Sequence, residues 1–420
     1  MKFLNKRGST TVLLSLFLAS MLAVIGVYLH AASKAAARSY VDAIFELAGK
    51  SILSEYDRRL FEEYGVFAVK AEESQVEKKL EYYAKSSFHT NKVEEFIKNK
   101  KYIDLLKLDL QDVKVDLKDY SLINVDVFEE QILDFMKYRI IQKVLPGKET
   151  NLSESQSQST PQTILRNQKI IGSLPSNGYQ GGNLDINKLL DEGIPTLQEI
   201  KDSSLECFYV NEYILDQFLH QRKNSLEERK TFFRHEVEYI LTGKWNDEEN
   251  YKHVRNNLVI MRTALNLTHI YADPAKREEV LALASVMTPG PEAVATQLLL
   301  ATAWAGAEAE NDARLLEQGK KVALIKTSVN WSLDFQSILS GIGNGSAVEP
   351  EQMNGMDYED YIRVFLYFLN REIKLLRCLD LIQLNMKGNY GEEFDLRNYY
   401  GGLQFEAFVQ GRKYAFRQKF

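Results

Sequence analysis

TTVLLSLFLASMLAVIGVYLH, residues 10–30, is the stretch on which the architecture turns. Apart from terminal His30 it carries no acidic or basic side chain. Coiled as a helix at about 1.5 Å per residue, it spans about 30 Å, the hydrocarbon thickness of a bilayer. Its Thr and Ser hydroxyls can bond back to the helix backbone, so they do not oppose insertion. Lys2, Lys6 and Arg7 precede the run with no acid among them, whereas Lys34 and Arg38 beyond it are followed by Asp42 and Glu46. That bias predicts a cytoplasmic tail at 1–9, a transmembrane helix at 10–31 in contact with the bilayer, and an extracytoplasmic bulk on a cell-membrane anchor.

Two other fates of the N-terminus compete with an uncleaved anchor. Ala35-Ala36-Ala37 offers a signal-peptidase site, although it lies far beyond the apolar core. Cleavage after Gly8 would fit a prepilin layout, but Leu13 stands where such segments carry Glu.

Beyond the membrane, residues 31–64 contain no Pro, and Ile44, Leu47, Ile52, Tyr56, Leu60 and Tyr64 recur near helical spacing. A long amphipathic continuation is expected, with a break near Gly49 as the alternative. Residues 65–105 read as helical. KLDLQDVKVDLKDY (107–120) then alternates apolar and polar residues, the mark of half-buried strands. DVFEEQILDFMKYRIIQKVL (126–145) returns to helix. Residues 146–183, opened by Pro-Gly and rich in Ser, Gln and Thr, read as a linker or mobile loop.

Several amphipathic helices follow between 205 and 285, with Gly243 as a helix stop and Asp273-Pro274 as a helix start. AVATQLLLATAWAGA (293–307) is too short for a second span and reads as a buried core helix. Residues 319–350 look loop-like, and 358–386 read as a helix pair. LQFEAFVQGRKYAFRQKF (403–420) alternates on both sides of Gln410-Gly411, a terminal hairpin that could pair with the strands near 106–117. The fold class is therefore α+β, mainly α-helical. Its small sheet is built from residues near 106–117 and the C-terminal hairpin. The expected division is a membrane-proximal α+β region at 32–145, the 146–183 segment, and a mainly helical extracytoplasmic body at 184–420.

Of the 420 residues 45% are hydrophobic and 26% charged, a balance suited to packed cores rather than disorder. The net charge of −6 and the lack of a long basic run argue against nucleic acid as a partner. Cys207 and Cys378 could form one disulfide outside the cytoplasm or remain buried thiols.

No catalytic signature emerges. His235-Glu236 begins like a zinc-protease helix, but Tyr239 occupies the place of the second His. Two distant cysteines cannot assemble a thiolate zinc site. GIGNG (341–345) lacks the Lys-Ser/Thr of a phosphate loop, and no G-x-S-x-G elbow is present. Glu236, Glu238, Glu308, Asp312 and Asp380 lie in apolar helices near Arg234, Arg262, Lys320, Lys321, Lys326 and Arg377. Such groups can do acid–base work if burial raises one pKa, but ion pairs that lock helices together are the preferred reading. No catalytic, cofactor-binding or metal-binding residue is assigned, no cofactor is called for, and no enzymatic activity is expected.

The chain resembles domain-of-unknown-function family 5702 of Gram-positive, largely clostridial, envelope proteins. The resemblance rests on KRGSTTVLLSL (6–16), LSEYDRRLFEEYGVF (53–67), EEQILDFMKYR (129–139), HEVEYILTGKWNDEENYKHVRNNLVIMRTALNL (235–267), TAWAGAEAENDARLLEQGKKVALIKT (302–327), MDYEDYIRVFLYF (356–368) and RCLDLIQLNM (377–386). It covers most of the chain and is weakest over 146–183. It implies a TadE/TadG-like anchored protein associated with Tad-type (Flp) pilus loci: a non-enzymatic scaffold or minor pilin whose partners are other pilus or envelope assembly proteins. An envelope enzyme or sensor and a surface adhesin are the rival readings.

Overall fold

The computed structural model describes residues 7–88, 106, 108–144, 174–177, 179, 182–195, 198–200, 204–223, 230–340, 347–391 and 393–420. Most of the expected linker at 146–183, the second half of the 65–105 helical region and the GIGNGS loop lie outside them. The chain forms two compact units. One comprises Met1–Phe61, Phe67–Asn124 and Arg397–Phe420, the other Glu62–Val66 and Val125–Leu396.

In the first unit, helix α1 (Arg7–Leu53) runs unbroken through Gly49 and stops at Leu53, short of the expected Tyr64. From Thr10 onward it is long and apolar enough to cross a membrane, and none of its most apolar window is buried. Past the apolar run the exposure changes. Val41, Phe45, Ala48 and Ile52, at four- and three-residue steps, turn into a core, while Leu47, expected on the apolar face, stays 67% exposed. Helix α2 (Arg58–Tyr64) follows a short turn, and its residues from Glu62 onward belong to the second unit. The expectation of helix directly after residue 65 fails, because Val69–Lys70 forms strand β1 and helix α3 starts only at Glu73 (Glu73–Phe88).

Strand β2 (Leu110–Asp116) takes the 107–120 alternation, and Val113 and Val115 point into the core. The C-terminal residues form β3 (Tyr399–Tyr400), β4 (Gly402–Val409) and β5 (Arg412–Lys419). The sheet order is β2-β4-β5, antiparallel throughout, with Val115 opposite Phe405 and Phe405 opposite Phe416. β1 pairs separately with β3. The Gln410-Gly411 turn has both φ values positive (52° and 74°), as a two-residue hairpin that follows the strand twist requires. Phe45 of α1 lies 5.9 Å from the Phe405 ring and 5.5 Å from the Phe416 ring. Burying these aromatic and aliphatic faces is worth about 25 cal/mol per Å² and holds helix to sheet.

The second unit is helical. Its elements are α4 (Val125–Val144), α5 (Ile186–Glu192), α6 (Leu205–Gln217), α7 (Glu236–Thr242), α8 (Asp247–Ala272), α9 (Pro274–Met287), α10 (Ala293–Glu317), α11 (Phe335–Leu339), α12 (Tyr358–Phe368) and α13 (Arg371–Tyr390). Gly243 ends α7 in the left-handed conformation (φ 68°), and Asp273 caps α9 with Pro274 at its first position, as their residue types predict. Every residue of α13 from Ile373 to Lys387 is buried, making it the central helix of the unit.

Helix α10 corrects one expectation. Ala293, Gln297, Ala301, Trp304 and Ala305 are buried, with Trp304 packed beside Trp331 and Phe335. Val294, Leu298 and Leu299 instead lie on the open face, 68%, 50% and 71% exposed. A short apolar run cannot reveal whether a helix is covered on all sides or on one.

Candidate functional site

The interior of the helical unit is polar at chosen points. Arg262 on α8 donates Nε to Asp312 Oδ2 at 3.0 Å and Nη1 to the carbonyls of Ala323 and Leu324. Lys326 lies 2.6 Å from Asp312 Oδ1 and also pairs with Glu308. Glu308 in turn accepts the N–H groups of Ser332 and Leu333, both at 2.9 Å. Two cations and two anions thus balance, and they pin the 322–333 segment to α8 and α10.

Along α13, Asp380 accepts the Tyr239 hydroxyl and the Ser176 N–H, both at 2.9 Å. Arg377 donates to Ile240 O at 2.7 Å and to Asn183. Asn385 donates to Glu236 at 2.6 Å and accepts the Phe232 N–H at 2.7 Å. Most of the acids singled out in the sequence therefore serve as internal ties. Of the proposed cations, Arg262, Lys326 and Arg377 join these groups. Lys320 pairs instead with Glu349, and Arg234 and Lys321 are exposed. Cys207 and Cys378 are free thiols, and burial pushes the Cys378 thiol up. No group of three or more His, Cys, Asp or Glu side chains among the described residues is disposed to hold a metal ion.

Glu238 is the exception that leads to a site. Buried at the start of α7, it accepts the Gln221 N–H (3.0 Å) and the Tyr358 hydroxyl (2.7 Å) on one oxygen, and its other oxygen has no hydrogen-bond partner. Burial raises its pKa, against the nearby His235. Tyr358, at the first position of α12, is the floor on which His220 stacks, with ring centroids 6.1 Å apart. Both rings line a cleft of about 400 Å³ walled by α6, the 218–223 segment, Gly319 beyond α10, and the start of α12.

The cleft walls are charged and internally paired. Arg363 donates Nε to Glu212 (2.7 Å), Nη1 to Asp360 (2.7 Å) and Nη2 to Glu359 (3.0 Å). Burial opposes its charge, but these carboxylates prevail and hold its pKa above the usual guanidinium range. Asp357 caps α12 by accepting the Asp360 N–H at 3.0 Å, and Asp360 returns the bond to the Asp357 N–H, a capping box. Arg222 donates to Glu317 O at 2.9 Å. Its guanidinium fills the space a Cβ would need at Gly319, where φ is +82°. The positive φ favours glycine there, and a larger residue would also have to displace the flexible Arg222 head.

His220 sets the chemistry. Its side chain is 3% exposed, and Nδ1 accepts the Arg222 N–H at 3.3 Å. Nδ1 therefore has no proton, and the neutral ring carries it on Nε2. Burial, followed by the charges of Lys223, Arg363 and Arg222, pushes the pKa down to about 3. The nearest carboxylate oxygen, Glu359 Oε2, is 4.0 Å from Nε2, outside hydrogen-bond range. At neutral pH His220 is thus a fixed hydrogen-bond donor aimed into the cleft and a poor general base.

Sequence reasoning did not find this cleft. His220, Arg222, Glu359 and Arg363 carry no spacing motif, since the two segments meet only in the folded chain. The Asp357–Asp360 capping box was the one local signal.

Residues 125–411 match the profile described as a Family of unknown function (DUF5702). The chain belongs to this family. The matched span contains the whole cleft and all the buried ion pairs of the helical unit. No curated protein and no solved structure matches the DUF5702 chain.

Proposed function

We propose that this protein is a membrane-anchored, extracytoplasmic, non-enzymatic component of Tad/Flp-type pilus assembly or secretion, a scaffold or minor pilin-like protein. The observation that carries the reading is α1. Its apolar segment exposes its whole circumference, and the same unbroken helix then delivers Val41, Phe45 and Ile52 into a folded core. A helix of this kind couples a bilayer rigidly to an outer unit, which suits a part that must hold position while others assemble. Lys2, Lys6 and Arg7 support a cytoplasmic N-terminus. The KRGSTTVLLSL segment, with its TadE/TadG-like layout, supports the pilus context. The absence of catalysis is supported by buried acids that are bonded to backbone N–H groups and cations, and by a cleft histidine whose Nδ1 is occupied.

The test is the mature N-terminus, determined by mass spectrometry in the membrane fraction and in sheared surface filaments. An intact start at Met1 or Lys2, confined to membrane, fits an anchored assembly factor. A start at Ser9 recovered in filaments would replace it with a processed subunit. Normal pili in cells without the gene would reject both.

A further inference from the structure

We propose that the His220–Glu359 cleft is a binding site for a neutral, hydroxyl-rich ligand, a saccharide. The His220 Nε2–H and Glu359 Oε2 face the same space 4.0 Å apart. A hydroxyl oxygen about 2.8 Å from each would accept from the one and donate to the other, at roughly a right angle, close to what a hydroxyl allows. The lining carries both signs, Glu212, Asp216, Asp357 and Glu359 against Arg222, Lys223 and Arg363, so neither a bare cation nor a simple anion meets a wall of one opposite sign. A hydroxyl is donor and acceptor at once, so alternating charged walls that are already paired suit it without an uncompensated ion.

The walls are held before any ligand arrives. Arg363 is fixed by three carboxylates, and Tyr358 is fixed behind His220 by Glu238. Preorganisation of this kind lowers the entropic cost of binding. The volume of about 400 Å³ lies near the lower end for ligand sites and admits roughly one or two sugar rings.

The inference is independent of the pilus reading, because it is tested on the purified chain. Full-length protein in a sugar-free detergent would be screened against an array of neutral mono- to tetrasaccharides, with calorimetry on the hits. At least one saccharide should bind. His220→Phe, which keeps the ring and removes the donor, and Glu359→Leu should each weaken it at least tenfold with the melting temperature of the second unchanged. Competition by the free monosaccharide would identify a single-sugar site, and its failure a polymer segment. If no saccharide binds, if either folded variant binds as the native chain does, or if inorganic phosphate or glycylglycine binds in place of the sugars, the proposal is wrong. Should His220→Phe fail to fold, the Glu359→Leu result decides alone, since Glu359 is partly exposed.

Discussion

Arg262 and Asp312 pair at 2.9 Å with neither side chain reaching solvent. Removal of one partner from a buried pair strands the other. Arg262→Ala should therefore lower stability by about 3–5 kcal/mol. Breaking the exposed Lys50–Glu46 pair by Lys50→Ala should leave the melting midpoint unchanged. Thermal unfolding of the full chain followed by circular dichroism makes the comparison, and equal shifts in the two variants would contradict this account of the interior.

Lys374 is buried on α13 and donates to Asn211 Oδ1 at 2.7 Å, with no carboxylate in a salt bridge to it among the described residues. Burial lowers its pKa. Where folding depresses a lysine pKa, the desolvation cost is full below the folded value and disappears as pH rises toward the unfolded value near 10.5. The native chain should gain stability over that window relative to Lys374→Gln, by roughly 1.4 kcal/mol for each tenfold loss of proton affinity on folding. Melting midpoints between pH 7 and 10 that run parallel in the two proteins would show that folding leaves the Lys374 ammonium unperturbed.

His220 gives the opposite end of the pH scale. Its folded pKa of about 3 lies below the ordinary 6.5, so its stabilising contribution is present above pH 6.5 and is lost as pH falls toward 3. Around it stand Glu359, Tyr358, Arg222, Lys223 and Arg363. Roughly 2 kcal/mol should go between pH 6.5 and 5. A His220→Phe chain should lose correspondingly less over the same interval, and chemical denaturation at the two pH values measures the difference.

The two faces of α10 should respond unequally. Leu299→Lys, on the open face, should change stability by no more than about 0.5 kcal/mol. Trp304→Ala, which empties the packing against Trp331 and Phe335, should cost about 3–5 kcal/mol. A large loss from Leu299→Lys would mean that this face is covered in the native protein.

Several features were legible in the residues alone because they depend on near neighbours. An uncharged apolar run long enough for a bilayer needs no tertiary partner to be recognised. The alternation at 107–120 and on both sides of Gln410-Gly411 follows from side chains that point to opposite faces of a strand. Gly243 and Asp273-Pro274 announce helix ends through local backbone preference. Where the folded chain differs, the deciding contact is remote. Phe45 rather than Leu47 turns inward because the β4–β5 aromatics stand on that side of α1.

The sequence by itself determined the apolar helix long enough to cross a membrane, most of the other helices, the alternating strands and the terminal hairpin, since each is encoded in short-range periodicity. Only the tertiary structure decided which acids are tied and which face a cleft. Glu238 and Tyr358, 120 residues apart in the chain, make one hydrogen bond, and on it rests the ring that aims His220. Burial, and with it the protonation of that histidine, depends on distant segments excluding water together, which no local pattern of residues records.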